Sequence, residues 1–151
     1  MCRTYESEDA AALEQLLNQL GYCLSAAAIE KNVAAIRNRA GEVFVKDLDG
    51  RVVGCVNAVL DSRLAEGTHG EIATLVVLDG YRGHGIGREL VTHAERWLAG
   101  RVGSMRVRAN AIRSRAHRFY QQLGYRETKT QKVFFKEIRQ RDNHSAGRER
   151  G

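Results

Sequence analysis

The strongest constraint on the fold of this 151-residue chain is a glycine-rich segment between an apolar run and an amphipathic stretch. Residues 72–78 are nearly all apolar and several are β-branched, which predicts a buried strand. Over residues 86–98 apolar side chains recur at helical spacing with charged ones between them, which predicts a surface helix. Gly83, Gly85 and Gly87 therefore lie where a strand passes into the N-terminus of a helix.

This junction predicts a site for an anion. The first backbone N–H groups of a helix have no partner within the helix, and the aligned peptide dipoles favour negative charge there. Glycine lets the backbone approach an anion closely, and an arginine at each end of the segment adds positive charge. We therefore predict a pyrophosphate cradle formed by Arg82, Gly83, His84, Gly85, Ile86, Gly87 and Arg88.

Two other phosphate-binding loops do not fit this spacing. A dinucleotide-binding loop needs G-x-G-x-x-G and an acidic residue about 20 positions later. Here the glycines run G-x-G-x-G, and residues 102–108 contain no acid. A nucleoside-triphosphate loop needs G-x-x-x-x-G-K followed by Ser or Thr, and the chain has no such run. The pattern that remains is R-x-x-G-x-G at residues 82–87.

The R-x-x-G-x-G pattern resembles the coenzyme A loop of the GNAT superfamily of N-acetyltransferases. The stretch AHRFYQQLGY at residues 116–125 is similar to a second hallmark of that family, A-x-x-F-Y-x-x-L-G-[FY]. The predicted order of helices and strands also resembles the GNAT order, apart from the last residues of the chain. This resemblance implies an acyltransferase that transfers the acetyl group of acetyl-CoA to a primary amine by direct attack within a ternary complex.

The resemblance and the hydrophobic pattern predict one α/β (α+β) domain over residues 1–138, followed by a mobile, basic polar tail over residues 139–151. The domain is expected to contain a mixed, mostly antiparallel sheet of six to seven strands flanked by about four helices. The family likeness implies a splay between the strand before the cradle and the next strand. The last two strands are predicted at residues 125–129 and 132–137.

Local signals place several boundaries of these elements. Ser7 and Ser25 are predicted to cap the first two helices, and Gly21 to end the first of them. Residues 47–50 (Asp-Leu-Asp-Gly) predict a hairpin turn between two strands, and residues 61–68 predict a polar loop before the apolar strand. The resulting order is strand, two helices, three strands, helix, strand, helix and two strands.

The likeness to the GNAT family also implies roles for single residues. Backbone groups of Leu75, Val76 and Val77 would run beside the pantetheine arm of coenzyme A, and the Val77 N–H would donate to the thioester carbonyl. Tyr120 would protonate the departing thiolate, although a tyrosine on the apolar face of a short helix also suits core packing. Asn110 would contact the pantetheine, across a longer separation from Tyr120 than in the common form of the pattern.

Glu71 begins the strand before the cradle, where related enzymes often carry a carboxylate that accepts the amine proton. A carboxylate there could also attract a cationic substrate or simply be solvated, and the sequence leaves these roles open. A domain that binds acyl-CoA without turnover is the alternative from another functional class. No motif identifies the acceptor amine, whether small molecule or peptide. The oligomeric state also stays open, with homodimers common in the family.

The composition limits the partners and the compartment. The net charge is +6, but no recognised nucleic-acid-binding module accompanies it, so we do not expect a nucleic-acid partner. The chain has neither an apolar run long enough for a membrane span nor a secretory signal, so we expect no membrane partner. The three cysteines have neither metal-ligand nor disulfide spacing, which predicts no metal site and a reducing, cytoplasmic location.

Overall fold

The computed structural model describes residues 1–108 and 114–140. Within these ranges the chain forms one five-stranded sheet and four α-helices. The strands are β1 (Cys2–Thr4), β2 (Glu42–Leu48), β3 (Arg51–Arg63), β4 (Gly67–Val77) and β5 (Met105–Val107). The helices are α1 (Ala10–Gln19), α2 (Ala26–Asn38), α3 (Ile86–Ala99) and α4 (Ser114–Gln122). A 3-10 turn, Ser7–Asp9, precedes α1.

The sheet is mixed and mostly antiparallel, in agreement with the prediction. The strands follow the order β1-β2-β3-β4-β5, with antiparallel pairs from β1 to β4 and a parallel pair between β4 and β5. β3 and β4 are paired along most of their length, whereas β4 and β5 are joined only over residues 70–72 and 105–107. β4 therefore has a strand on both sides only over residues 70–72.

Helices cover both faces of the sheet. A Cβ on Gly54 of β3 would lie 2.9 Å from a methyl group of Leu90, so Gly54 marks the face under α3. Val53 and Cys55 point the other way because side chains alternate along a strand. Both are buried on the face that α1 and α2 cover. Because both faces are covered, residues 52–56 form a continuous apolar run rather than an alternating one.

Two of the three predicted helix boundaries, the cap at Ser25 and the end at Gly21, are found in the structure. The Ser25 side chain caps α2 by accepting a backbone hydrogen bond at 3.1 Å, and Gly21 adopts φ +93° just after α1. The prediction for Ser7 is wrong, because Glu6 and Asp9 form a reciprocal capping box around the 3-10 turn. Ser7 therefore begins that turn instead of capping α1.

The two predicted connections between strands have different outcomes. The turn predicted at residues 47–50 lies between β2 and β3, but residues 47 and 48 are still paired in β2, and residues 49 and 50 form the connection. The polar loop predicted at residues 61–68 is wrong, because β3 and β4 continue as a hairpin in which only residues 64–66 connect the strands. The backbone ladder holds this exposed hairpin, and the Ser62 and Thr68 hydroxyls hydrogen-bond to each other across the strands at 2.8 Å. Polar side chains are compatible with a strand that projects beyond the core.

The predicted count of six to seven strands is wrong, and the described residues form five. Residues 125–129 and 132–137 have no regular secondary structure and pair with none of these strands. Their aromatic and β-branched residues favour a strand, but a strand also needs a partner, which local propensity does not supply. Val133, Phe134 and Phe135 are instead 85%, 90% and 87% exposed.

Some predictions fall outside the described residues. These are the role of Asn110 and the structure of the tail from residue 141 onward. In the part of the chain that is described, no helix is long and apolar enough to cross a membrane. The same residues contain no group of three or more His, Cys, Asp or Glu side chains placed to hold a metal ion.

Candidate active site

β4 contains an irregularity shortly before the cradle. Asn57 of β3 lies opposite Thr74, but the next residue of β3, Ala58, lies opposite Ile72. Ala73 is therefore an extra residue in β4, which is a β-bulge. Pairing of β4 with β5 also stops at Ile72. The second half of β4 is thereby separated from β5.

The edge of β4 that faces away from β3 is open beyond the bulge. The Leu78 N–H donates to the Val53 carbonyl at 2.8 Å. In an antiparallel ladder every second residue directs its backbone groups at the same neighbouring strand, so Val76 also directs its groups at β3. The intervening residues, Leu75 and Val77, direct theirs the other way, where none of the described strands pairs with them. This edge therefore presents two backbone N–H groups to a ligand.

Gln19, at the end of α1, holds the end of β4 in this position. Its side-chain amide donates to the Val77 carbonyl at 3.0 Å, and its amide oxygen accepts from the Asp79 N–H at 2.8 Å. The Val77 carbonyl is thus occupied, which leaves the Val77 N–H as the outward group. The sequence carries no signal for Gln19, because the contact joins positions 58 residues apart.

The glycine segment forms the turn between β4 and α3, as predicted. α3 begins at Ile86, whose side chain is buried, and Gly85 at the N-cap position has φ +79°, a conformation that favours glycine. No side chain of the described residues caps α3, so the first N–H groups of the helix remain available to a ligand. Gly83 and His84 are exposed just before them. The turn has the geometry of an anion site.

The two predicted arginines lie on either side of this turn. Arg82 is half-exposed and places a guanidinium nitrogen 3.3 Å from the Asp79 carboxylate. Such an exposed ion pair contributes little free energy, so Arg82 can exchange it for a bound anion. Arg88 is exposed on the first turn of α3 and lines a shallow surface depression with Met1 and Thr92. Both guanidinium groups are therefore accessible to a phosphate-bearing ligand.

α4 packs over the first turn of α3. A Cβ on Gly87 would lie 3.3 Å from the Phe119 ring and 3.8 Å from a methyl group of Val77. Gly87 thus permits α4 to approach both the cradle and the end of β4. Phe119 makes this contact, so the packing of α4 at this point does not require the neighbouring Tyr120.

Tyr120 is a partly buried phenol with a free hydroxyl. Its ring meets the edges of Phe119 and Tyr125, with ring centroids 5.0 and 5.7 Å apart. Burial raises the pKa of Tyr120 above its ordinary value, so the phenol is protonated at neutral pH. The Tyr125 hydroxyl donates to Glu95 at 2.9 Å, whereas the Tyr120 hydroxyl has no hydrogen-bond partner in the described chain. These properties suit a proton donor.

Glu71 lies on β4 before the bulge, and only 15% of its side chain is exposed. The Arg108 Nε lies 3.1 Å from Glu71 Oε1, but the contact is not aligned as a hydrogen bond, so this oxygen has a charge partner and no hydrogen-bond donor among the described residues. Asn57 Oδ1 is a second buried acceptor for which the described part of the chain provides no donor. Neither Asn57 nor Arg108 is predicted as a site residue from the sequence. The sequence feature that could indicate Asn57 is its side-chain amide, which stands alone among the otherwise apolar residues 52–60.

An open strand edge therefore leads directly into the glycine turn at the start of α3. Residues 11–125 match the acetyltransferase (GNAT) family. The uncharacterized N-acetyltransferase CT2212 of Chlorobaculum tepidum is 32% identical over 120 residues, which are 79% of this chain and 70% of that relative. The chain therefore belongs to the GNAT family of acetyltransferases and is an acyltransferase, which confirms the resemblance seen in the sequence.

Solved structures of acetyltransferases share this fold. An acetyltransferase of Trypanosoma brucei has a TM-score of 0.77 at 22% identity, over 89% of this chain and 98% of that chain. Glucosamine-6-phosphate N-acetyltransferase of Arabidopsis thaliana has a TM-score of 0.78 at 17% identity, over 91% and 98%. The aminoglycoside N-acetyltransferase AAC(6')-Iy, solved in complex with CoA, has a TM-score of 0.77 at 17% identity, over 91% and 100%. At these identities the likeness is one of fold.

Proposed function

We propose that this protein transfers the acetyl group of acetyl-CoA to a primary amine by direct attack within a ternary complex. The observation that carries the proposal is the open backbone edge at Leu75 and Val77, which leads directly into the glycine cradle. Such an edge offers N–H groups to an extended chain that contains amides, as when a peptide adds to a sheet. The cradle offers N–H groups to a diphosphate. Acetyl-CoA carries both groups in this order.

The residues of the cradle fit the diphosphate of coenzyme A. Apart from Gly85 and its two chain neighbours, no atom of the described chain lies within 4 Å of the position of a Cβ on Gly85, so this position faces open space. The groups proposed to hold the diphosphate are the N–H groups of Gly83, His84, Gly85, Ile86 and Gly87 and the side chains of Arg82 and Arg88.

The strand edge supports the arm of the thioester. We assign the outward backbone groups of Leu75 and Val77 to the pantetheine amides and the thioester carbonyl. Val76 contributes packing, because its backbone groups face β3. Asn110 is a proposed partner of the same arm.

Three groups of the chain act during the transfer. The Val77 N–H donates to the thioester carbonyl oxygen and stabilises the negative charge that develops there, which is worth about 3 kcal/mol for one such donor. As the amine nitrogen bonds to the carbonyl carbon and the C–S bond breaks, Tyr120 gives its proton to the sulfur. Glu71 accepts the proton that the amine loses. Both side chains then return to their starting states by proton exchange with solvent.

Direct attack is favoured over an acyl-cysteine route at this strand pair. Cys55 is buried on β3, and burial raises the pKa of its thiol to about 12. A cysteine acts as a nucleophile through its thiolate, which is scarce at neutral pH when the pKa is this high. The acetyl group therefore passes from acetyl-CoA directly to the amine, without an acyl-cysteine intermediate.

Release of CoA from acetyl-CoA in the presence of amines tests this function. The panel contains putrescine, L-lysine amide, kanamycin A and a peptide that begins with alanine, and mass spectrometry identifies the product. We expect at least one amine to raise CoA release above the rate of hydrolysis and to gain one acetyl group. If acetyl-CoA binds but no primary amine is acetylated, a domain that holds acyl-CoA without turnover replaces this proposal.

We also propose a cytoplasmic location. Cys2, Cys23 and Cys55 are all free thiols, and Cys23 is exposed. Unpaired thiols of this kind are typical of a reducing compartment.

We further propose that two copies of the chain associate through the segment after α4. Val133, Phe134, Phe135 and Ile138 are between 84% and 90% exposed, and large apolar side chains grouped in this way indicate an interaction surface. The outer edge of β5 pairs with no other strand of the described chain, and such an edge accepts an added strand. If each copy gave this segment to the other, the segment would pair with the outer edge of β5 in the partner copy. The exchange would occupy that edge in both copies and bury these apolar side chains.

Light scattering coupled to size-exclusion chromatography measures this association. We expect the wild-type protein to have twice the mass of one chain. A variant with Phe134→Lys and Phe135→Lys should have the mass of one chain, because charged side chains oppose burial. Lys136→Ala, which alters the same segment without removing an apolar side chain, should remain a dimer. A wild-type protein with the mass of one chain at all concentrations would contradict the proposal.

A further inference from the structure

Two buried oxygen atoms beside the bulge of β4 accept no hydrogen bond from residues 1–108 or 114–140. They are Asn57 Oδ1 and Glu71 Oε1, and both are shielded from solvent. Buried acceptors are almost always paired, because an unpaired one lowers the stability of the fold. Two such atoms on neighbouring strands indicate that the missing donors come from a ligand.

Both side chains project from the sheet face opposite α3. A Cβ on Gly54 or on Gly70 would point at α3. Asn57 is three residues from Gly54 and Glu71 is one residue from Gly70, so both side chains point to the other face. The residue directly across from Glu71 is Val59, two residues from Asn57. The two side chains are therefore diagonal neighbours on adjacent strands, within reach of one small group.

The chemistry of this site selects a cationic donor. Arg108 lies 3.1 Å from Glu71 Oε1 but donates no hydrogen bond to it, and half of its own side chain is exposed. Thr74 lies directly across from Asn57, yet its hydroxyl does not donate to Oδ1. A fitting ligand must present two N–H or O–H donors at once and be able to release a proton to a carboxylate. A primary ammonium group meets both conditions.

We infer that Asn57 and Glu71 form the binding site for the amino group of the acceptor, which rests on the N-acetyltransferase function proposed above. Asn57 Oδ1 accepts one N–H of R–NH₃⁺, and Glu71 Oε1 accepts a second. Proton transfer along the second bond converts R–NH₃⁺ and the carboxylate into R–NH₂ and a carboxylic acid. The carboxylic acid releases this proton to solvent, and the regenerated carboxylate accepts the second proton of the amine as the C–N bond forms. Asn57 holds the neutral amine while its lone pair becomes available to the thioester. The acceptor is therefore an aliphatic amine that is charged before binding, and an alcohol, with one O–H, is rejected.

Titration of the CoA-loaded, ¹⁵N-labelled protein with n-butylammonium tests this site by NMR. n-Butyltrimethylammonium is the matched probe, because it has the same charge and no N–H donor. We expect n-butylammonium alone to shift the side-chain amide signals of Asn57 saturably. Asn57→Leu should weaken its binding about tenfold or more, as expected for a hydrogen bond to a charged group. Asn57→Asp keeps an acceptor and should retain binding.

Two further measurements separate positioning from a structural role. Leucine replaces the unpaired acceptor with an apolar group of similar volume, so Asn57→Leu should unfold at the wild-type temperature or above it. An asparagine with a structural role would instead lose stability. For the best amine of the panel, Asn57→Leu should raise the KM for the amine about tenfold and leave the KM for acetyl-CoA unchanged. The effects of Glu71→Gln and Asn57→Leu on the affinity for n-butylammonium should not add, because both side chains bind the same ammonium group.

Equal responses to the two ammonium ions, no response to n-butylammonium, or unchanged binding in Asn57→Leu would overturn the inference. Failure of the proposed function gives a different result, because no amine would then be acetylated by the wild-type protein. The titration with n-butylammonium does not depend on turnover and still decides the role of Asn57.

Discussion

Replacing Tyr120 with phenylalanine is expected to lower kcat by about 10²- to 10⁴-fold, the usual contribution of a general acid, and to leave the Kd for CoA within about twofold. The substitution removes one hydroxyl that has no hydrogen-bond partner in the described chain. The ring remains to pack against Phe119 and Tyr125. Steady-state release of CoA measures kcat, and calorimetric titration measures the Kd.

Tyr125→Phe is the matched control for this substitution. It removes the hydroxyl that donates to Glu95 at 2.9 Å. We expect a loss of about 1 kcal/mol in the free energy of unfolding and little change in kcat. An unchanged kcat in Tyr120→Phe would leave Tyr120 as a packing neighbour of Phe119 and remove it from the mechanism.

The pH dependence of the wild-type enzyme follows from the same assignment. A phenol donates a proton only while it is protonated, and burial raises the pKa of Tyr120 above its ordinary value of 10.0. Its deprotonation therefore begins at a higher pH than for an exposed tyrosine. We expect the midpoint of any alkaline decrease in kcat attributable to Tyr120 to lie above pH 10.0. A tyrosine-dependent decrease with its midpoint below that pH, absent from Tyr120→Phe, would contradict the assignment.

Gly85→Val is expected to weaken CoA binding by about 100-fold or more, which corresponds to the loss of two charge-assisted hydrogen bonds of about 1.5–3 kcal/mol each. Gly85 has φ +79°, where a β-branched residue is strained, so the N-terminus of α3 must shift. The valine methyl groups also project into the open space in front of the helix. Both effects separate the N–H groups of the cradle from a diphosphate.

Gly100→Val tests the opposite end of the same helix. Gly100 has φ −78°, which any residue adopts, and apart from Gly100 and its two chain neighbours no described atom lies within 4 Å of its Cβ position. We expect wild-type CoA affinity in this variant. Thermal unfolding of both proteins checks that each is folded at the temperature of the binding measurement. Wild-type affinity in a folded Gly85→Val protein would show that the cradle does not bind the diphosphate.

The parts of this fold that depend on short stretches of sequence are predictable. The cap at Ser25 joins residues three positions apart, and the turn at residues 47–50 reflects the backbone preferences of its own residues. The strand and helix on either side of the cradle follow from the period of their apolar residues. For the same reason the turn between them, with Gly85 at the cap of α3, is found at the predicted place.

The errors concern pairing between distant residues. Residues 61–68 are polar enough to resemble a loop, yet the cross-strand ladder of β3 and β4 continues through most of them. Residues 132–137 show the opposite case, because their composition favours a strand and the described chain provides no partner. In both cases the partner strand decides the outcome, and local composition does not specify it.

The geometry of the site depends on pairing in the same way. The extra residue Ala73 sets which backbone groups of β4 face β3, and a shift of one residue would exchange the directions of Val76 and Val77. Asn57 becomes a candidate only when the described residues around its Oδ1 are placed and none of them donates to it. The sequence therefore predicts the cradle, whereas the open edge and the acceptor site require the three-dimensional structure.

Calorimetric titration tests most directly whether this edge and cradle bind a diphosphate-bearing thioester carrier. The protein is titrated with CoA and with pantetheine, which lacks both the diphosphate and the phosphoadenosine of CoA. We expect one CoA per chain and binding at least about tenfold tighter than that of pantetheine, because each hydrogen bond to the charged diphosphate adds about 1.5–3 kcal/mol. Equal affinity for the two compounds, or no heat with CoA, would contradict this account of the site.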